Sequence, residues 1–396
     1  MNCILAVNGG SSSLKCGLYE PADGVPLLRY RFQLGDAMGT PRLDIRDGTG
    51  RSLEQLSPDF SRIASSQRHL AALDLVLDWI QANLPDCRLM AAGHRVVHGG
   101  ELLAAPTRVD DELIATLQRF SPLAPLHQPF NIELIEGCRR RLPGLLQVAC
   151  FDTMFHVGQS RIERHYALPH RYTEDGIQRY GFHGLSYEFI QRQLEARGEG
   201  LGRSLLCHFG AGASMCGVRD GRSIASSMGF TAVEGLPMGS RCGSIDPGVL
   251  IYLMRHYALD VDGLEHLLYK QSGWLGVSGI SSQMLELHKS ADPLADEAIE
   301  MFCYRAALEA GRLSAAIEGC DRLVFTGGVG ENDADVRARM LTRLQWLGVE
   351  FDEAANARGD ERISTAGSRV QVWVIPTHEG AMIAQHVLEK LEESRQ

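Results

Sequence analysis

Two stretches half a chain apart constrain this sequence most. Residues 3–20, CILAVNGGSSSLKCGLYE, and residues 205–221, LLCHFGAGASMCGVRDG, each run an apolar strand into a turn of glycine and small residues, then leave it as a second strand with Cys-Gly at its centre. They align on Ser13-Leu14-Lys15-Cys16-Gly17-Leu18 against Ser214-Met215-Cys216-Gly217-Val218 with one gap. Such a repeat suits two similar domains, although two glycine hairpins can also coincide by chance. Glycine N–H groups, hydroxyls and Lys15 suit phosphate. Yet the G-x-x-x-x-G-K-[ST] spacing of a P-loop is absent, and Lys15 is followed by the alternation of a strand rather than by a helix. A phosphate bound here lies between the strands of a hairpin.

A third glycine turn differs in kind. In LVFTGGVGENDADVRARML (323–341) a strand enters Gly327-Gly328-Val329-Gly330, and Glu331-Asn332-Asp333 open a helix whose apolar face includes Val336, Met340 and Leu344. Backbone N–H groups and a helix N-terminus so placed suit a nucleotide. Around these turns the pattern predicts a strand meander over 3–33, with a turn at Pro21-Ala22-Asp23-Gly24, and a polar stretch of weak periodicity over 35–58. Leu70, Leu73, Leu77 and Ile80 predict a helix over 67–84, closed by Pro85. A strand over 91–100, helices over 110–119 and 131–142, and an apolar strand over 145–156 delivering Asp152 and His156 follow. A last helix over 380–391 aligns Ile383, Val387 and Leu391 for packing back on the first domain.

The chain's 396 residues, 44% of them hydrophobic, suffice for two cores, with a boundary near residue 150. A formal net charge of −10 without an acidic tail or basic block argues against nucleic-acid and membrane partners. Ten cysteines stand singly from Cys3 to Cys320 with no C-x-x-C pair, which suggests neither a zinc nor a disulfide framework and points to a reducing compartment. Met1-Asn2-Cys3 lacks the charged start of a secretion signal, and no apolar run approaches the ~20 residues of a membrane span. The cytoplasm is the expected location. His94 and His98 imitate the i, i+4 zinc pair of a helix but sit in a valine-rich strand, so metal ligation by them is not expected.

Nine segments carry a resemblance to a known family: VNGGSSSLK (7–15), GHRVVHGG (93–100), APLHQPFNI (124–132), FDTMFH (151–156), YGFHGLSY (180–187), HFGAGAS (208–214), SMGFTAVEGLPMGSRCGSIDPG (227–248), GGVGEN (327–332) and IPTHEG (375–380). In this order, over nearly the whole chain, they resemble the acetate kinase (acetokinase) family of the acetate and sugar kinase, heat-shock 70 and actin superfamily. The resemblance implies an α/β protein of two RNase H-like domains with the actin-like ATPase fold and an active-site cleft between them. The first domain would be 1–150, completed by the helix 381–396, and the second, nucleotide-binding domain would be 151–380.

Phosphoryl transfer needs alignment and charge neutralisation more than covalent help, and the resemblance distributes those tasks. Arg95 would grip the acetate carboxylate and Arg241 the phosphoryl oxygens. His183 would donate to those oxygens in the transition state, supported by His127. Asp152 would lie near the phosphoryl path as base, arginine partner or outer ligand of the metal. Val97, Leu126, Phe182 and Ala232 would line the acyl pocket. Lys15, His208, Phe209, Gly210, Ala211 and Gly212 would meet the nucleotide phosphates. Gln283, Met284, Leu285, Gly328, Val329, Gly330, Glu331 and Asn332 would flank the rest of ATP or ADP. Asn8 and Glu379 would stand beside Mg²⁺, or Mn²⁺ in its place, and Ser11 to Ser13 would line the first turn. The family's homodimer is expected.

Three positions depart from the family's pattern. Ala211 replaces a usual Asn, Gln283-Met284-Leu285 replaces Asp-Met-Arg, and Phe230-Thr231-Ala232 replaces Phe-Thr-Pro. The implied activity is reversible transfer of the ATP γ-phosphoryl group to acetate. The alternatives are a propionate or butyrate kinase of the same family and, in another class, a nucleotide-switched binding protein of the superfamily.

Overall fold

The computed structural model describes residues 1–10, 13–21, 26–34, 41–125 and 127–394. The chain divides into one unit of Met1–Met154 with His378–Gln396 and another of Phe155–Thr377.

The first unit is built on a sheet of eight described strands: β1 (Asn2–Gly9), β2 (Ser13–Tyr19), β3 (Pro26–Gln33), β4 (Arg42–Asp47), β5 (Ser52–Leu56), β6 (Arg88–Val96), β7 (Thr107–Arg108) and β8 (Leu146–Phe151). Their order is β5-β4-β3-β2-β1-β6-β8-β7. β1 and β8 flank β6 in parallel, while β1 to β5 pair as an antiparallel meander. Ile4 to Val7 are all buried because β1 is central and covered on both faces. Towards the edge, β3 alternates instead, with Leu28, Tyr30 and Phe32 inward and Arg29 and Arg31 outward.

Helices Arg68–Asn83 and Gln128–Arg141 bring Leu73, Val76, Leu77, Ile80, Leu134 and Cys138 to one face of this sheet. On β1, β6 and β8 lies the C-terminal helix Glu379–Glu393, with Ile383 and Val387 buried and Leu391 half-buried. It comes so close that a Cβ on Gly93 would stand 2.4 Å from Ile383 and 2.6 Å from Val387, distances only glycine tolerates.

The second unit repeats the plan. Its strands β9 (Arg203–Phe209), β10 (Ala213–Arg219), β11 (Arg222–Ser226), β12 (Arg322–Thr326) and β13 (Gln371–Val374) take the order β11-β10-β9-β12-β13. That is the order of β3-β2-β1-β6-β8, antiparallel on the meander side and parallel on the other. The register matches as well. Cys16 and Gly17 face Val7 and Ala6, and Cys216 and Gly217 face Leu206 and Leu205. The likeness between the two stretches is therefore one of topology, and chance coincidence drops out. The helix Pro293–Ala316 buries Phe302, Ala306, Ala310 and Leu313 within this unit. No helix among the described residues is long and apolar enough to cross a membrane.

Several expectations need correction. The stretch 35–58 contains β4 and β5, which the sequence hides because β4 offers only Leu43 and Ile45 to the core among charged neighbours and β5 buries none of its residues, Leu56 being half-buried. The strand over 145–156 ends at Phe151. Asp152 N–H donates to the carbonyl of Val96 at 3.0 Å, and His156 lies beyond it in a 3₁₀ turn of the second unit. At the third glycine turn the helix begins with Gly327 itself and runs to Asn332. A separate helix, Ala334–Thr342, is capped by Asp333, whose Oδ1 accepts from Val336 N–H. Leu344 is buried but lies past that helix. The turn 22–24 and the segment 35–40 lie outside the described residues.

Candidate functional site

In the first unit, four polar side chains from distant parts of the sequence form one chain of hydrogen bonds. Parallel pairing sets Val7 beside His94 and Arg95 beside Cys150, which brings Asn8, Arg95 and Asp152 to the same end of three neighbouring strands. Arg95 Nε donates to Asp152 Oδ1 and Oδ2 at 3.1 and 3.0 Å, and its Nη2 donates to Oδ2 at 2.5 Å. Nη1 donates to Asn8 Oδ1 at 3.2 Å, and Asn8 Nδ2 donates to Glu379 Oε2 at 2.7 Å. Glu379 arrives as the first residue of the C-terminal helix, whose cap His378 accepts from Ala381 N–H.

Asp152 is 1% exposed, so its charge must be paired within the unit. Burial pushes its carboxyl up, Arg95 opposes this, and Glu379 adds to it. Burial works against the Arg95 charge too, but Asp152 and Glu379 outweigh it and hold the guanidinium above its ordinary range. Of the three roles open for Asp152, the geometry displays the arginine partner. Side-on docking to Asp152 and the bond to Asn8 engage three of five guanidinium N–H donors among the described residues, leaving one on each terminal nitrogen for an anion.

Around this chain, Lys15 is exposed on β2, opposite Asn8 and Arg31. Gly10 N–H donates to the Ser13 carbonyl at 2.8 Å, while Ser11 and Ser12 lie outside the described residues. Val97 is buried, and Leu126 lies outside the described residues. His127 caps the helix Gln128–Arg141. His94 Nε2 lies 2.8 Å from the Gln147 side chain, and His98 Nδ1 accepts from Gly100 N–H. Among the described residues no group of three or more His, Cys, Asp or Glu side chains is placed to hold a metal ion.

In the second unit a further cluster gathers at the β9–β10 turn. His183 caps the helix Gly184–Ala196 in the left-handed conformation, φ 59°. Its Nδ1 lies 2.8 Å from Ser214 Oγ, which also meets Tyr187 OH, and its ring stacks on His208 with centroids 4.3 Å apart. His208 Nδ1 in turn meets Ser186 Oγ at 2.8 Å. A Cβ on Gly212 would stand 3.4 Å from His183 Nε2 and 3.9 Å from Arg241 Nη1, so imidazole and guanidinium converge on one glycine. Arg241 Nη1 donates to the Ala232 carbonyl at 3.0 Å, and Phe182 beside His183 is buried.

The remaining nucleotide candidates fall into two groups. Gly210 N–H donates to Gly212 O, and Gly239 N–H to Ala211 O. A Cβ on Gly239 would stand 2.7 Å from Ser282 O, which brings the residue before Gln283 to the same turn. Phe209 is buried against Phe302 and Phe325, so its side chain is core. Met284 is buried as well, whereas Leu285 is 64% exposed. Gly328 has open space where a Cβ would stand. Glu331 Oε1 accepts from Gly327 N–H at 2.8 Å and Thr377 N–H at 3.0 Å, so that carboxylate braces the backbone beside Val329 and Gly330. Asn332 Nδ2 donates to Gly328 O.

The acetokinase family model matches residues 3–385. The chain belongs to the acetokinase family. It is 45% identical over 400 residues to an acetate kinase of Methylocella silvestris, covering 99% of this chain and 98% of that protein. An acetate kinase of Rhodopseudomonas palustris is 46% identical, covering 97% of each. Among solved structures, a propionate kinase from Francisella tularensis matches with a TM-score of 0.89 at 32% identity, covering 98% of this chain and 99% of that one. The Porphyromonas gingivalis acetate kinase matches with a TM-score of 0.86 at 35% identity, covering 99% and 100%. With its two mixed α/β units, this acetokinase has the two-domain actin-like ATPase fold.

Three supporting residues of the acetokinase escaped the sequence reading. Asn131 is buried: its Oδ1 accepts from Val97 N–H at 3.1 Å and its Nδ2 donates to Gly9 O at 3.3 Å, tying the β1 turn to the end of β6. His69 Nε2 meets Gly10 O at 2.7 Å. Lys270 follows Tyr269 and Leu268, whose carbonyls accept from Ser240 Oγ and Cys242 N–H. Burial and the neighbouring Arg241 charge hold its ammonium below the ordinary lysine range. Only Asn131 left a trace, inside the quoted PFNI motif; His69 sits in the helix expected over 67–84, and the segment holding Lys270 carries no motif.

Proposed function

We propose that this acetokinase transfers the γ-phosphoryl group of ATP to the carboxylate of acetate, giving acetyl phosphate and ADP, and catalyses the reverse. The observation that carries this reading is Arg95, held side-on by buried Asp152 with a donor left on each terminal nitrogen. Such a fixed fork suits a small carboxylate or its acyl phosphate. In the reaction an acetate oxygen forms a bond to the γ-phosphorus as the bond to the β-phosphate bridging oxygen breaks. Arg241 and His183, converging on Gly212, oppose the charge on the moving group as preorganised donors. A nucleotide-switched binding protein has no use for Arg95 so arranged.

Mg²⁺, or Mn²⁺ in its place, is the metal this reading implies. Glu379 contributes a carboxylate and Asn8 an amide oxygen, hard donors that suit an ion keeping several waters and binding largely through substrate phosphate. Asp152 does not fit as a direct ligand, because it is 1% exposed with both oxygens accepting from Arg95, whereas Asn8 and Glu379 are half-buried. When bound, the ion neutralises phosphate charge. Glu379→Ala should raise the Mg²⁺ concentration needed for half-maximal rate by about tenfold. An unchanged titration would remove the carboxylate from the ion's surroundings.

A second copy of the chain is the partner this reading favours, in the cytoplasm. Helices Pro247–His256 and Val261–Lys270 bury none of their residues, and Ile251, Tyr252, Tyr257 and Val261 lie exposed on or beside them, an apolar surface that suits a self-complementary interface.

The test of the activity is ADP release with acetate, propionate and butyrate as acceptors. Turnover with acetate is expected, and ATP binding without acceptor-dependent ADP release would overturn the reading. Ala232 favours a modest extension of the acyl range, because it lacks the ring volume of the family's usual proline. A buried CH₂ is worth about 0.8 kcal/mol where there is room for it, so propionate should reach a kcat/KM within about tenfold of acetate. Ala232→Pro should move preference back towards acetate. An unchanged propionate-to-acetate ratio in that variant would show that residue 232 does not size the pocket.

A further inference from the structure

Segment 229–234 of the second unit carries Ala232, whose carbonyl orients Arg241, and it is held by a half-buried cluster that the reaction itself does not use. Tyr166 OH donates to Glu234 Oε2 at 2.5 Å and accepts from Phe230 N–H at 2.9 Å. Arg179 Nη2 donates to Glu234 Oε1, and its guanidinium lies 4.9 Å over the centre of the Tyr166 ring. At the head of the segment the Gly229 carbonyl accepts from Tyr180 N–H at 3.0 Å and Gly181 N–H at 3.4 Å, just before Phe182 and His183. The cluster is closed around Gly229. A Cβ there would stand 1.8 Å from Glu234 Oε2 and 2.3 Å from Tyr166 OH.

We propose that Tyr166, Glu234 and Arg179 are positioning residues that set segment 229–234, and through it Arg241 and the acyl-facing Ala232, for phosphoryl transfer. This rests on the acyl kinase reading for its chemistry. Three observations carry it. The cluster grips the segment by its backbone, at Phe230 N–H, so it fixes the path of the chain rather than one side chain. The Ala232 carbonyl that receives Arg241 lies two residues from that grip. The same segment meets the approach to His183 through the Gly229 carbonyl, so one brace serves both the guanidinium and the imidazole. Burial and Glu234 push the Tyr166 hydroxyl well above the usual tyrosine range, which keeps it a donor to Glu234. A loop free to drift would let Arg241 lose its carbonyl, and a displacement of that size weakens transition-state contacts more than nucleotide binding.

Tyr166→Phe tests this with little disturbance, since it removes one hydroxyl and keeps the ring beneath Arg179. Two measurements are made on the purified full chain: steady-state kinetics with acetate and propionate, and hydrogen exchange of the peptides spanning 228–235 and 180–184. The expected result is a roughly tenfold or larger fall in kcat for acetate with the ATP KM within about twofold, a shifted propionate-to-acetate ratio, and faster exchange at 228–235. Glu234→Gln, which keeps the shape and loses the charge on Arg179, should reproduce the direction. Unchanged kcat and ratio in both variants would overturn the proposal. So would a loss that scales equally across substrates and follows the folded fraction. If the wild type turns over no short-chain acid, the acyl kinase reading fails by itself, and the exchange data still decide the brace: unaltered exchange overturns it and faster exchange supports it.

Discussion

Arg95→Ala is expected to lower kcat/KM for acetate by at least ~10²-fold, as removal of a charged donor aimed at a reacting anion does. It should also leave a mark on stability that most active-site substitutions do not. Asp152 is 1% exposed and receives the whole side-on face of the guanidinium. Breaking a buried pair by deleting one partner costs about 3–5 kcal/mol unless the orphaned group neutralises. Burial already pushes the Asp152 carboxyl up, and without Arg95 no other charge among the described residues opposes it. The variant's carboxyl then titrates above its unfolded value. The folded form binds the extra proton, so stability is kept below the ordinary carboxylate range and is lost as pH rises through the raised folded value.

Thermal unfolding of Arg95→Ala between pH 5 and 8 should therefore show a Tm that falls as pH rises, more steeply than in the wild type. Arg95→Ala combined with Asp152→Ala should recover the Tm and not the activity. Near-normal kcat/KM in Arg95→Ala would remove the carboxylate-gripping role. A flat difference in Tm across that pH range would show that Asp152 finds another partner.

How far the sequence carried this reading depends on where each residue's partners lie. The β1–β2 and β9–β10 hairpins were legible because strand, turn and strand are contiguous and their apolar residues are buried on both faces. β4 and β5 were not, since β4 is buried on one side only, β5 buries no residue, and the charged residues around Leu43 and Ile45 are as good a loop as a strand. Asn8 and Asp152 were readable as polar residues that end apolar runs, whereas Arg95 and Glu379 came from the family resemblance. That they form one hydrogen-bonded chain follows only from the parallel register of β1, β6 and β8 and from the C-terminal helix lying across them. Glu331 was expected beside the nucleotide only from the family resemblance; what the fold adds is that, four residues on from Gly327, its Oε1 accepts from the first N–H of its own helix. Tyr166 gave no signal, and Glu234 stood unremarked inside the quoted segment 227–248, the two being 68 residues apart with no periodic pattern joining them.

The left-handed backbone of His183 makes its substitution the sharper test in the second unit. His183→Ala should depress kcat by about 10²- to 10³-fold, the effect of losing one preorganised donor to a developing anion, while the KM for acetate changes by less than about threefold. The argument rests on orientation. Ser214 meets Nδ1 and Tyr187 fixes Ser214, so the ring's other edge is set towards Gly212, beside Arg241. A donor so held contributes to the transition state rather than to ground-state binding. His183 already carries the cost of φ 59°, and because histidine enters the left-handed region more readily than alanine, the alanine variant adds to that strain, so a loss of rate in that variant alone has two explanations. Asparagine enters the left-handed region more readily than alanine yet offers no imidazole. His183→Asn should therefore regain most of the Tm lost by His183→Ala and none of its kcat. If His183→Asn restores turnover, the residue serves as a backbone corner. If either variant changes KM and leaves kcat alone, the imidazole belongs to substrate binding and Arg241 carries the transition-state charge without it.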